Sequence, residues 1–289
     1  DALRYLRLDD DGVCSIVKRV LLPEPQDEAF KYVKEAVRAY PELYFSRLVV
    51  LGEGDSEEVV LKRLALLRGA PLDIDFISVV PLGGRFVHHF WRLLHGLSIP
   101  HITLLDLDLG RSSGGWAVIK TAIQELLQAQ PARRKELLAV EAPGGGTAVL
   151  STQELDGMHQ WSIDRDQIMR WVRRLREYDV FCIGPLDLDF LMLQACKGMY
   201  IGAIEGGKGP DQTDIEKLSE RILGEKGFER VEVYDQEEQK LFSWYSYLFL
   251  NRSKPLTHHL ALSALDSPPP LPEPLDLILG RIDDITGSG

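Results

Sequence analysis

Between residues 47 and 110 the chain alternates short apolar runs with amphipathic stretches. Leu48–Leu51 is a continuous apolar run that stops at Gly52, the pattern of a strand buried on both faces. Asp55 or Ser56 then offers an N-cap, and Val59, Val60, Leu64 and Leu67 keep roughly helical spacing. A second strand is predicted over Asp75–Leu82 (DFISVVPL), closed by Gly83 and Gly84, with a helix from about Arg85 to Leu97 behind it. Ile99–Asp108 (IPHITLLDLD) predicts a third strand. Strands and helices alternating at these lengths imply parallel pairing through right-handed crossovers, which brings all three strand ends to one edge.

Outside this region the pattern changes. Ahead of it, Val17–Leu22 reads as a strand and Gln26–Tyr40 as an amphipathic helix stopped by Pro41. After the glycine- and serine-rich turn Gly110–Gly115, helical spacing returns at Ala117–Gln130, Ala132–Val140 and Asp164–Glu177, with Gly144–Gly146 as a flexible loop. Val180–Ile183 resumes as a short buried strand followed by a helix at Leu186–Ala195. Further helices are expected at Thr213–Leu223, Gln236–Leu250, Lys254–Leu265 and Pro274–Ile282, the last beyond a proline run at Pro268–Pro274. The expected division is a lead-in over 1–45, an α/β core over 46–110 and 178–265, a mainly helical insertion over 111–177, and a tail over 266–289.

Composition narrows the function classes. The 289 residues suffice for a substantial core, and the balance of residues is that of a soluble globular protein. No apolar run approaches the ~20 residues of a membrane span, no signal peptide precedes the first strand, and the three scattered cysteines, Cys14, Cys182 and Cys196, fit the cytoplasm rather than a disulfide or zinc framework. The opening at Asp1 rather than Met fits a piece of a longer protein. The net charge of −11 opposes general adhesion to nucleic acid. A metal site that consumes carboxylates, or basic surface elsewhere in a longer chain, would lift that objection. No Walker A sequence occurs, and the glycine-rich loop around Lys208 has the wrong spacing for one.

The chemistry lies at the strand ends. Glu53 stands at the break after the first strand, where open α/β sheets place ligands. Glu57 follows in the first turn of the next helix. Asp106 and Asp108, two apart on a strand, share a face. Singly, Glu57 is an ordinary first-turn acid favoured by the helix dipole and Asp108 a loop cap. Together, four carboxylates in one crevice need a cation, because like charges raise one another's pKa. Oxygen-only donors suit Mg²⁺ or Mn²⁺, and two such ions ~4 Å apart can drive phosphodiester hydrolysis. Asp187 and Asp189, in LDLD behind the fourth strand, reach the same edge if that strand joins the sheet; otherwise they cap the helix behind. Lys254, in NRSKP at a helix start, reads as solvated surface alone, but as a transition-state cation beside such a cluster. His88, His89, His258 and His259 form adjacent pairs on helices, pointing to different faces. Tyr245 and Tyr247, among Trp244 and Phe249, read as core packing.

These motifs resemble the Toprim domain, and more specifically the carboxyl-terminal nuclease region of the OLD (overcoming lysogenization defect) family of ATP-dependent endonucleases. The resemblance is carried by LGEGDSEE, LLDLDLGR, PLDLD, the late SKP lysine, YPELYFSR before the first strand and the helical insertion. It covers most of residues 15–265. It implies a Toprim-type, mostly parallel sheet flanked by helices, with two divalent metal ions cleaving DNA. In that reading Glu53, Glu57, Asp106 and Asp108 are metal ligands, with an acid of Asp187 and Asp189 in a further position. Lys254 is then the essential lysine, with Glu57 beside it in catalysis. It also implies an amino-terminal ABC-type ATPase as the covalent partner. Some Toprim enzymes carry a third acid two residues past Asp-x-Asp; here Gly110 stands there. The alternatives are a topoisomerase or primase fragment, and a catalytically degenerate Toprim interaction module.

Overall fold

A computed structural model describes residues 3–8, 15–20, 40–82, 87–141, 144–203, 207 and 209–287. The helix expected over Gln26–Tyr40, the glycines Gly83 and Gly84, Cys14 and Lys208 lie outside these residues, Tyr40 excepted. Strands β1 (Leu3–Leu8) and β2 (Ser15–Val20) form an antiparallel pair, Leu3 opposite Val20.

The centre is a four-stranded parallel sheet made of β3 (Leu48–Gly52), β4 (Ile77–Pro81), β5 (His101–Asp106) and β8 (Val180–Ile183), in the order β4-β3-β5-β8. Val50 pairs with Val79 on one side and Ile102 on the other, and Leu104 pairs with Phe181. The four expected strands are therefore present, and the last joins the sheet beside β5. Leu48, Val49, Val50 and Leu51 have no exposure, because β3 is covered on both faces as well as paired on both edges.

Helix α1 (Asp55–Leu67) connects β3 to β4 and buries Val60, Leu61 and Leu64. Its end is tied to the last helix of the chain: Arg68 pairs with Asp276 and Asp283. Helix α2 (Val87–Leu97) connects β4 back to β5, and the reversed direction of this crossover puts it on the opposite face. There Trp91 Nε1 donates to Thr103 Oγ1 of β5 at 2.7 Å. Beside it runs α3 (Trp116–Ala129), close to the expected helix Ala117–Gln130.

The segment 111–177, expected as a mainly helical insertion, departs from the expected helices at 132–140 and adds a helix at Thr152–Gly157. Where a helix was expected over 132–140, a short helix α4 (Arg134–Leu137) gives way to a hairpin of β6 (Ala139–Glu141) and β7 (Thr147–Val149). Gly144, Gly145 and Gly146 all have φ near +90°, a backbone that closes the turn at little cost only for glycine. The local helical spacing is overridden by this turn and by Leu150 N donating to Leu138 O. Helices α5 (Thr152–Gly157) and α6 (Arg165–Arg176) follow, each with an oxygen N-cap, Ser151 and Asp164. Trp116 meets Trp161 edge-on at 5.2 Å, holding α3 against the segment that leads into α6.

Beyond β8 come α7 (Leu188–Gly202), α8 (Ile215–Leu223) and α9 (Gln236–Tyr245). The helix expected over 236–250 continues from α9 as a π-helical turn, Ser246–Leu250, before α10 (Lys254–Ser263). Segment 266–289 contributes α11 (Glu273–Thr286), which buries Leu275, Ile278, Leu279 and Ile282 and ties Arg281 to Asp179 at the foot of β8.

Candidate metal centre

The acidic residues follow the carboxyl ends of three adjacent strands: Glu53 after β3, Asp106 and Asp108 at the end of β5, Asp187 and Asp189 after β8. The fourth strand, β4, ends in Pro81 and carries none. Strand order thus decides which acids meet, since β5 lies between β3 and β8.

Gly52 and Gly54 have separate reasons in this turn. A Cβ on Gly52 would stand 2.8 Å from Cβ of Glu57, so glycine lets the first turn of α1 fold back over the strand end. Glu57 Oε2 accepts a hydrogen bond from Gly54 N at 2.9 Å, closing the helix start. Gly52→Ala is therefore expected to destabilise the fold by about 1–3 kcal/mol, the usual cost of overpacking. Urea unfolding would show this as a lower midpoint at unchanged slope.

Glu53 Oε1 accepts from Asp106 N at 2.8 Å, tying the ends of β3 and β5 together. Asp106 Oδ1 in turn accepts from Leu188 N at 3.2 Å, joining β5 to the start of α7. Asp108 differs from expectation: β5 ends at Asp106, and Asp108 adopts φ +52° in the turn beyond. It is therefore not placed by strand alternation but by backbone bonds to the β8 loop, Asp108 N to Leu186 O at 2.7 Å. Gly114 is required here, because a Cβ on it would fall 1.7 Å from Asp108 O. The Asp108 side chain pairs with Arg111 at 2.6 Å.

The acids behind β8 are engaged more fully. Asp187 Oδ1 accepts from Phe190 N at 2.9 Å and so caps α7, as one sequence reading had it. Its other oxygen accepts from the Tyr245 hydroxyl and lies 3.4 Å from the Lys254 ammonium and 3.8 Å from Arg111. Asp189 pairs with Lys254 through one oxygen and stands 2.7 Å from His258 Nε2 through the other. The π-helical turn lies between Tyr245 and Lys254, and both reach Asp187. Such turns often mark functional positions.

Electrostatics distinguish two groups. Burial raises the Glu53 carboxyl to about 7, with Asp108 and Asp187 adding repulsion against the Asp106 N–H bond. Glu57 also rises to about 7, from burial and the charges of Asp189 and Glu53. Asp106 is pushed well above the carboxylate range by burial and by four neighbours, Asp187, Glu53, Glu57 and Asp108. Asp108 is raised by burial despite Arg111. Asp189 goes the other way, to about 2: burial would raise it, but His258 and Lys254 together outweigh that. Burial would lower Lys254, yet Asp187 and Asp189 raise it instead.

Among the described residues, no three carboxylate, histidine or cysteine side chains stand as a ready ligand shell. Asp108, Asp187 and Asp189 face protein cations and donors. The donor set still suits a hard divalent ion: every candidate ligand is a carboxylate oxygen, and Glu53, Glu57 and Asp106 all stay raised by burial and mutual repulsion, which Arg111 near Glu53 and Lys254 near Asp106 do not outweigh. The structure thus brings all six expected acids and Lys254 to one edge. It adds Arg111, Tyr245, His258 and Tyr200, none of which the strand-end pattern could identify. The four-residue spacing of Lys254 and His258 was the available signal.

Residues 44–108 match the family described as the overcoming lysogenization defect protein-like TOPRIM domain. No curated protein matches the chain. The C-terminal region of the Burkholderia pseudomallei OLD protein is 20% identical, with 84% of this chain and 99% of that one covered and a TM-score of 0.49. The C-terminal region of the Xanthomonas campestris pv. campestris OLD protein is 19% identical, with 84% and 98% covered and a TM-score of 0.48. The family match spans β3 to Asp108 and includes Glu53, Glu57, Asp106 and Asp108, and TOPRIM domains generally use divalent metals. Residues 44–108 of this chain are thus identified as a TOPRIM domain of the overcoming lysogenization defect protein-like kind.

Proposed function

We propose that the chain is the nuclease region of an OLD-type, ATP-dependent endonuclease that nicks and cleaves DNA with two divalent ions, Mg²⁺ or Mn²⁺. The observation that carries this reading is Asp106, a buried carboxyl among four other acids, Glu53, Glu57, Asp108 and Asp187, whose repulsion and burial push it well above the carboxylate range although Lys254 lies near enough to feel its charge. Glu53, Glu57, Asp106 and Asp108 hold the metal, with Asp187 or Asp189 as the third strand's contribution. Bound there, divalent ions would supply an activated water and charge stabilisation for the leaving oxygen of a phosphodiester. Lys254 sets an ammonium at the same edge, where charge builds on the phosphate. Arg111 holds Asp108 through one N–H and reaches Tyr245 through another.

Hydrolysis is favoured over strand passage by the state of Tyr245. A topoisomerase needs a tyrosine oxygen free to attack phosphorus. Tyr245 has no exposure and donates its hydroxyl to Asp187. The overall negative charge leaves DNA affinity to be supplied elsewhere, which fits an ABC-type ATPase preceding this region in a full-length cytoplasmic protein. Among the described residues no helix is long and apolar enough to cross a membrane.

The test is conversion of supercoiled plasmid to open circles. The chain is expected to nick in Mg²⁺ or Mn²⁺ and to stop on addition of EDTA. Nicking that persists in EDTA, or none with either ion, overturns the assignment.

A further inference from the structure

Behind Lys254 lies a chain of buried polar groups, Asp189, His258 and Tyr200. Lys254 opens α10 and His258 follows four residues later, so both side chains leave the helix on one face. Together they grip the two oxygens of Asp189: the ammonium takes Oδ2, and His258 Nε2 stands 2.7 Å from Oδ1. The other ring nitrogen, Nδ1, is 2.6 Å from the Tyr200 hydroxyl. His258 and Tyr200 have no exposure and Asp189 has 2%. Phe249 and Tyr200 pack against the imidazole at 5.1 and 5.5 Å between centroids, leaving it no room to turn. Every group is used if Tyr200 donates O–H to Nδ1 and Nε2–H is donated to Asp189.

A buried histidine with both nitrogens occupied is neither a metal ligand nor an accessible acid or base. What it does is fix a carboxylate. A lysine has a flexible four-carbon stem and loses rotamer freedom when held in one place. If Lys254 is to meet a phosphate, that cost is met before substrate arrives only when its anchor is itself immobile.

We propose that His258 and Tyr200 are positioning residues. Through Asp189 they hold the Lys254 ammonium at the acidic edge, and Asp189 serves as the orienting anion of Lys254 rather than as a metal ligand. This rests on the hydrolytic reading only for the role of Lys254. The clamp itself is a property of the fold. It also separates the two acids behind β8, since both oxygens of Asp189 face side-chain donors of α10, whereas Asp187 caps α7 and faces the edge.

The test compares His258→Leu, which removes the donor, with His258→Gln, which keeps an N–H near the Nε2 position, and with Tyr200→Phe. Two readouts are taken. One is single-turnover plasmid nicking in Mn²⁺ with the Mn²⁺-induced thermal shift alongside. The other is acetylation of Lys254 by acetic anhydride, followed by mass spectrometry. His258→Leu is expected to lose ~10²-fold in nicking rate, the usual effect of a misplacement near 1 Å. Its half-saturating plasmid concentration and Mn²⁺ shift stay unchanged, and Lys254 is acetylated severalfold faster than in the wild type. His258→Gln recovers most of the loss, and Tyr200→Phe moves both readouts the same way by less. The proposal is overturned if His258→Leu, folded, nicks and acetylates as the wild type does. It is equally overturned if the Mn²⁺ shift disappears, which would make Asp189 a ligand. Should His258→Leu not fold, Tyr200→Phe decides by the same readouts. If the wild type itself does not nick, the hydrolytic reading falls, and the acetylation rates alone judge the clamp.

Discussion

Replacing Asp106 by Asn is expected to abolish metal-dependent nicking and, at the same time, to raise the melting temperature of the metal-free protein. The two effects share one cause. Asp106 is buried among Asp187, Glu53, Glu57 and Asp108, so its ionised form is disfavoured in the fold without a cation. Its folded pKa lies above the unfolded value. Protonated Asp106 therefore stabilises the fold fully below the unfolded pKa, and that stability is lost as pH rises through the folded pKa. Asn avoids the loss, so its advantage is small at pH 5 and largest at pH 8, where Glu53 and Glu57, each near 7, are ionised as well. Near 1 kcal/mol shifts a melting temperature by about 2–4 °C in a domain of this size, and a gain of about that size or more is expected at pH 8. With Mn²⁺ the order reverses: the wild type gains stability and Asp106→Asn does not. Nicking should fall by about 10²–10³-fold or more, the scale for loss of a preorganised electrostatic group. An Asn variant that nicks at the wild-type rate, or melts below the wild type in EDTA at pH 8, removes Asp106 from the metal centre.

Lys254→Ala is expected to lose ~10²-fold or more in cleavage while keeping metal-induced stabilisation, because an ammonium does not ligate a divalent ion. Arg should not rescue it. The guanidinium is a wider planar fork, and Lys254 sits between Asp187 and Asp189 in a space set by α7 and α10. Loss of the lysine also leaves Asp189, 2% exposed, with His258 as its remaining side-chain partner. A drop in stability is therefore expected besides the kinetic loss, as for a buried charge stripped of one partner. Thermal shift with and without Mn²⁺ separates the two effects. Normal cleavage by Lys254→Ala would move the transition-state role to Arg111, the other cation against these acids.

The two predictions rest on different layers of the chain, and so does what its sequence could disclose. The order of strands and helices from β3 to β5 was legible from apolar runs and helical spacing, because a buried parallel strand and its crossover helix are specified by local patterns. Glu53 and Asp106 were legible for the same reason: each stands where an apolar run breaks, and a parallel sheet puts all such breaks on one edge. Asp108 was only half legible. Its neighbourhood followed from Asp106, but its setting depends on Leu186 O and on the space left by Gly114. The hairpin at 139–149 was hidden because the glycine turn overrode a locally helical pattern.

What tertiary structure alone decided is which polar groups meet. Strand order set β8 beside β5 and so brought Asp187 and Asp189 to Asp106. Packing of α7 against α10 joined Asp189 to His258 across 69 residues and Tyr200 to His258 across 58. The π-helical turn Ser246–Leu250 lies between Tyr245 and Lys254, which meet at Asp187. No local pattern encodes such pairs, since each side chain alone looks like core aromatic, capping acid or surface base. Their roles come from desolvation: once buried, a polar group must find a partner wherever the fold has placed one.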